Sequence, residues 1–176
     1  MITHSVRETQ KVAADFAREV LTKNYHRYAP QGLPRPPHYR GARGIDPQRL
    51  VPRRGIEKVI VVGLVGDLGA GKTTFVQGMA RGSGIDPNHY VNSPTFTLIN
   101  EYKGERMSLV HVDLYRIDKP IDFETLGLDE YFIPGNIVVI EWIDKMPALK
   151  NKVDFRVTME SVSEKERKIS IERKMP

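Results

Sequence analysis

Two runs of the chain carry almost no polar residue. Val59-Ile60-Val61-Val62-Gly63-Leu64-Val65 and Ile137-Val138-Val139-Ile140 are short and rich in β-branched side chains. Runs of this kind, without alternation, predict strands buried on both faces, as in a parallel sheet. Met107-Ser108-Leu109-Val110-His111-Val112 predicts a further strand that ends at Asp113-Leu114-Tyr115-Arg116. Other segments follow other periods. Between Ser5 and Lys23, Val12, Phe16 and Val20, with Ala13, Ala17 and Leu21, form one apolar stripe, and Lys11, Asp15, Arg18 and Glu19 fall outside it. That spacing predicts an amphipathic helix, and Ser5 with Glu8 three residues on is a capping-box signature. Thr74 to Ala80 continues as a helix with Phe75, Val76 and Met79 apolar at helical spacing. The second half of Val91 to Tyr102 alternates like a strand, and Lys103-Gly104-Glu105-Arg106 predicts a hairpin-type turn. Asp122 to Phe132 predicts a short helix and turn packing through Phe123, Leu126, Leu128, Tyr131 and Phe132. Lys152–Met159 and Lys168–Glu172 alternate, and predict a closing hairpin around Ser161 to Glu166.

Between the first buried run and the Thr74 helix lies Gly66-Asp67-Leu68-Gly69-Ala70-Gly71-Lys72-Thr73, which fits G-x-x-x-x-G-K-[ST], the phosphate-binding loop of nucleoside triphosphatases. Strand, glycine loop, helix is the context that motif requires. Glycines let backbone N–H groups approach phosphate oxygens at a helix N-terminus. Lys72 reaches terminal phosphates as a point charge, and the Thr73 hydroxyl is of the type that ligates Mg²⁺. Asp113 closes the third strand, where a second metal-directed carboxylate is expected downstream of such a loop. Glu141, at the mouth of the last buried run, reads either as a group that polarises water or holds Mg²⁺ through water, or as a solvent-facing strand end. Ser93-Pro94-Thr95 is a hydroxyl-rich turn, either a switch that orders around the terminal phosphate or an ordinary strand entry. His111 stands near Asp113, although a lone histidine on a strand is more often structural, and Trp142 reads equally well as core.

The predicted fold is therefore α/β: a P-loop domain with a mostly parallel sheet, antiparallel edge strands and helices on both faces, in one domain spanning residues 1–176. The reaction these groups suit is ATP hydrolysis, with Lys72, Asp113 and Glu141 as the catalytic set. Two rivals belong to other classes. A small-molecule kinase would need an acceptor pocket and an arginine-bearing lid, and neither is evident. An RNA-binding module would use nucleotide only as a structural ligand.

Charge matters to that last rival. The net charge is +5, yet Asn24 to Lys58 holds eight basic residues against Asp46 and Glu57, a surplus of six. The remainder is thus slightly acidic, and any electrostatic case for RNA rests on this segment. Its prolines (Pro30, Pro34, Pro36, Pro37, Pro47, Pro52) exclude helix or central strand, so it is expected to be a long loop. Arginines interleaved with Tyr25, Tyr28 and Tyr39 read either as an RNA-contacting arm or as a solvated insertion. The chain has no cysteine, which excludes disulfides and thiolate metal sites. No apolar run approaches the ~20 residues of a membrane span, and the first residues have no apolar signal core, so a cytoplasmic protein is expected.

These blocks together resemble the TsaE family, small ATPases of bacterial tRNA threonylcarbamoyladenosine biosynthesis. The resemblance is carried by Gly66 to Thr74, Ser93-Pro94-Thr95-Phe96-Thr97-Leu98, His111-Val112-Asp113-Leu114-Tyr115-Arg116, Leu126-Gly127-Leu128-Asp129-Glu130-Tyr131-Phe132 and Glu141-Trp142. It implies ATP and Mg²⁺ as ligands, with phosphates on Asp67, Leu68, Gly69, Ala70, Gly71, Lys72, Thr73 and Thr74. It implies Thr73 and Glu141 as metal positions with Asp113 close by, and Ser93, Pro94 and Thr95 as the switch loop. It places Ser5, Glu8 and Thr9 near the nucleotide and Lys165 or Glu166 beside the base. It implies a partner, a tRNA threonylcarbamoyl transferase complex of two related subunits, with tRNA met indirectly; a tRNA contact through the basic insertion stays open outside the resemblance. With no internal arginine finger evident, weak basal turnover raised by that partner is expected. The long basic insertion at 24–58 departs from the family pattern.

Overall fold

The computed structural model describes residues 1–28, 58–104, 107–117 and 126–174. Their strands are β1 (Ile2–Thr3), β2 (Ile60–Val65), β3 (Ile99–Lys103), β4 (Ser108–Asp113), β5 (Asn136–Glu141), β6 (Phe155–Ser161) and β7 (Arg167–Arg173). They form one sheet in the order β1-β7-β6-β2-β5-β4-β3. The central four, β6-β2-β5-β4, are parallel. The pairs at both edges, β1 with β7, β7 with β6, and β3 with β4, are antiparallel. The sheet is thus mixed: the apolar runs are central parallel strands, as predicted, and antiparallel strands flank them at both edges, though half of the six pairings among the described residues are antiparallel, more than a mostly parallel sheet implies.

Helices α1 (Val6–Tyr28) and α2 (Lys72–Gly82) cover one face. There Phe16, Val20, Phe75, Val76 and Met79 share a core with Val62, Leu64, Leu109, Ile137 and Val139. The two helices meet closely because α2 presents glycine to α1. A Cβ at Gly78 would lie 2.3 Å from the Gln10 carbonyl oxygen, and one at Gly82 would lie 2.3 Å from that of Ala14. The opposite face packs Val61, Val110, Val112, Val138 and Ile140 against Leu128, Ile143, Met146 and Leu149. Its cover is built from short 3₁₀ helices at Leu128–Tyr131, Ile143–Lys145 and Pro147–Asn151. Residues 142–154 must return from β5 to β6, and Pro147 among them breaks any longer helix.

Several boundaries differ from the sequence reading. α1 runs to Tyr28, five residues into the segment read as loop, because no proline intervenes before Pro30. Only from residue 29 does the predicted loop lie outside the described residues, and with it most of the basic insertion. β3 begins at Ile99, later than the alternation suggested, because residues 95–97 turn and Leu98 takes a left-handed φ of 65°. β1 went unpredicted, since two residues carry no period; it pairs Ile2 with Lys168 and Thr3 with Arg167. Residues 118–125, Phe123 among them, lie outside the described residues, as do Glu105 and Arg106. The first part of the Asp122 helix and the tip of the β3–β4 turn therefore lie outside the described residues. No helix among the described residues is long and apolar enough to cross a membrane.

Candidate active site

The strand order decides which chain segments can meet. β5 lies between β2 and β4, and its last residue, Glu141, pairs with Leu64 on one side and Asp113 on the other. The loop that leaves β2, the end of β5 and the end of β4 therefore crowd one edge of the sheet, beyond the carboxyl ends of parallel strands.

The loop is built for close backbone approach. Gly69 and Gly71 have φ of 79° and 97°, a region L side chains avoid. A Cβ at Gly69 would meet nothing within 4 Å, so that side of the loop is open. Gly71 is the N-cap of α2 and no side chain caps the helix, which leaves its first-turn amides for an anion. Ala70 is buried beneath the loop, and Leu68 stands out at its tip. Lys72 is buried and turned onto its own loop, donating to the Gly66 and Asp67 carbonyl oxygens at 2.6 and 2.9 Å. Its Nζ also lies 3.6 Å from the centre of the Trp142 ring. Burial pulls the Lys72 ammonium below the ordinary lysine value, and Glu141, Asp113, Asp144 and Asp67 push the other way.

Both carboxylates are buried. Glu141 Oε1 accepts the Thr73 hydroxyl at 2.9 Å and lies 2.8 Å from His111 Nε2. Asp113 Oδ2 accepts Ser93 Oγ at 2.5 Å and Thr95 Oγ1 at 2.7 Å, and its Oδ1 accepts the Tyr115 N–H at 2.9 Å. Pro94 holds the same turn, with its carbonyl accepting Leu98 N–H. Thr73 with Glu141, and Ser93 and Thr95 with Asp113, thus form two bonded sets whose acids are register neighbours on β5 and β4, and both acids act on the charge of Lys72.

Ser5, Glu8 and Thr9 are placed differently. The Ser5 hydroxyl accepts the Glu8 N–H at 3.2 Å, while the Glu8 carboxylate takes the His4 N–H, one residue before the position a capping box uses. Thr9 is buried and bonds Thr3 at 2.8 Å. Their side-chain bonds stay within the N-terminal segment. What ties that segment to the phosphate loop is the β6–β7 hairpin: His4 Nδ1 meets Glu166 at 3.0 Å, and Arg167 donates to the Gly69 carbonyl at 3.2 Å. Arg167 and Thr3 had no signal in the sequence. His111 had one, since it is two residues before Asp113 on an alternating strand and so shares its face.

The residues fit a phosphate and a hard divalent cation. The open glycine loop supplies uncapped amides, and Thr73 and Glu141 supply oxygen donors side by side. Among the described residues no group of three or more His, Cys, Asp or Glu could hold a metal alone. Mg²⁺ usually takes one or two protein oxygens and completes its shell with water and phosphate, and the bonded Thr73 hydroxyl and Glu141 carboxylate are oxygens of that kind.

Family comparison agrees with this geometry. The model of the family described as "Threonylcarbamoyl adenosine biosynthesis protein TsaE" matches residues 3–169. The chain belongs to the TsaE family. The tRNA threonylcarbamoyladenosine biosynthesis protein TsaE of Haemophilus influenzae is 42% identical over 104 residues, 59% of this chain and 65% of that protein. TsaE of Bacillus subtilis is 41% identical over 110 residues, 62% of this chain and 67% of that protein. The matched stretch therefore spans about two thirds of these curated relatives. The crystal structure of Bacillus subtilis YdiB superposes with a TM-score of 0.59 at 27% identity, covering 97% of this chain and 82% of that one.

Proposed function

We propose that this chain, acting as one domain, is a Mg²⁺-dependent ATPase. Its turnover supports the transferase complex that makes threonylcarbamoyladenosine next to the anticodon of tRNA. The observation that carries the reading is the 2.9 Å bond between Thr73, in the first turn after the phosphate loop, and Glu141, at the end of the neighbouring strand. A hydroxyl and a carboxylate paired at that point are the two protein oxygens that a nucleotide-bound Mg²⁺ uses.

In this reading the backbone from Asp67 to Thr74 cradles the phosphates. Lys72 and the loop amides stabilise charge on the transferred phosphoryl group. Thr73 and Glu141 would hold Mg²⁺, with Asp113 close to it. Once bound, the ion neutralises charge across phosphate oxygens. Asp113 orients the attacking water, and Ser93-Pro94-Thr95, bonded to Asp113, acts as the switch loop. Ser5, Glu8 and Thr9 border the nucleotide from the N-terminal side. The partner is the complex of two related subunits, and tRNA is met through it or through the basic insertion.

The test is the rate of phosphate release with and without the two transferase subunits, comparing native protein with Lys72→Ala. Stimulation by the partners that Lys72→Ala abolishes supports the reading. Equal rates for native and variant protein would overturn it.

A further inference from the structure

The strand register raises a question about His111. Leu109, His111 and Asp113 alternate onto one face of β4, and Ile137, Val139 and Glu141 stand opposite them on β5. Leu109, Ile137 and Val139 belong to the core under α1 and α2. His111 is fully buried in the same layer. A hydrocarbon there would fill the space at no polar cost, whereas a buried imidazole is unfavourable unless it is bonded. Its bonding is one-sided: Nδ1 has no hydrogen-bond partner among the described residues. Nε2 meets Glu141 Oε1 at 2.8 Å. An ionised carboxylate only accepts, so Nε2 carries the hydrogen. The one hydrogen bond of this buried ring is therefore spent on Glu141.

The pattern at the carboxylate is equally specific. Thr73 and His111 both bond Oε1. Oε2 accepts no hydrogen bond among the described residues. We propose that His111 is a positioning residue: its Nε2–H and the Thr73 hydroxyl clamp Oε1 from two sides and leave Oε2 aimed for Mg²⁺ or a water bound to it. The inference rests on the magnesium–nucleotide reading of the site. Carboxylates that serve metals are commonly held by such partners, and losing the partner typically weakens metal affinity roughly 10- to 100-fold.

The experiment uses full-length protein, ADP and MgCl₂. The readout is the Mg²⁺ concentration that gives half of the added thermal stabilisation by ADP. His111→Leu removes the donor and keeps the site apolar. It is expected to raise that concentration roughly 10- to 100-fold while leaving ADP affinity in EDTA unchanged. His111→Gln, whose amide nitrogen lies near the position of Nε2, is expected to restore most of the loss. If His111→Leu does not fold by circular dichroism, His111→Asn takes its place, since its amide is one bond too short to reach Oε1. A Leu or Asn variant with the native Mg²⁺ midpoint overturns the positioning role and leaves the site reading standing, as does a Gln variant no better than Leu or Asn. Native protein that gains no Mg²⁺-dependent stabilisation from ADP overturns both, so the two failures are distinct.

Discussion

Asp113 and Glu141 are paired neighbours on adjacent parallel strands, yet they are held by different kinds of structure. Glu141 is bonded to Thr73 in the first turn of α2 and lies against His111 on β4, so both partners sit in regular elements. α2 is in turn locked to α1 through Gly78 and Gly82. Asp113 is bonded to Ser93 and Thr95, in a loop. That loop carries Phe96, which is 83% exposed with Arg116 over its ring at 4.2 Å, and ends at Leu98 with a left-handed backbone. A bulky residue at positive φ costs free energy, and Phe96 and Thr97 stand exposed although Pro94 is buried. One carboxylate is thus bonded to side chains in regular elements, and the other to side chains of a loop, where opening usually costs less. The first arrangement suits a group that must be ready for a cation. The second suits a group whose partners change as phosphate binds.

The contrast can be broken by four measurements, taken in falling order of effect. Asp113→Asn keeps the shape and removes the charge. Turnover in single-cycle ATP assays is expected to fall on the order of 10²–10⁴-fold, the usual size for a lost acid–base or water-orienting group. ADP binding should hardly change. A large loss of ADP affinity instead would place Asp113 among the binding groups. Glu141→Gln should do the reverse, raising the Mg²⁺ needed for nucleotide-linked stabilisation roughly 10- to 100-fold. An unchanged Mg²⁺ requirement would remove Glu141 from the metal.

Gly78→Ala addresses the rigid side alone. Its new methyl meets the Gln10 carbonyl, so stability should drop by about 1–3 kcal/mol, seen as a lower midpoint in chemical denaturation. Hydrogen exchange across residues 93–98 should stay as it is. Parallel changes in both regions would mean that the two carboxylates are coupled through the core. The smallest effect is expected for Ser93→Ala, which removes one of two hydroxyl bonds to Asp113. A hydrogen bond to a charged group is worth about 1.5–3 kcal/mol at most, and Thr95 retains the other. Amide exchange in residues 93–98 should therefore rise about tenfold, with the global denaturation midpoint nearly constant. No change would show that the loop is held by contacts other than Asp113.

How much of this was legible beforehand follows the range of the interactions. The phosphate loop, the buried strands feeding it and the acids closing later strands were all readable, because each is a pattern within a few residues. So was the α1 stripe, though its end was misplaced by the polar residues before Pro30. Leu98 was not readable, since its left-handed backbone is imposed by the turn that brings Ser93 and Thr95 to Asp113. Arg167 was not readable either, since its bond to Gly69 joins residues 98 positions apart.

Local residue pattern was enough to say that β2, β4 and β5 are buried strands and that charged groups cluster at their ends. Burial says nothing about which strand lies beside which, because an apolar run is satisfied by any apolar neighbour. Only the folded sheet, with β5 inserted between β2 and β4, made Glu141 a neighbour of Thr73 and turned His111 from a buried ring into the partner of a carboxylate.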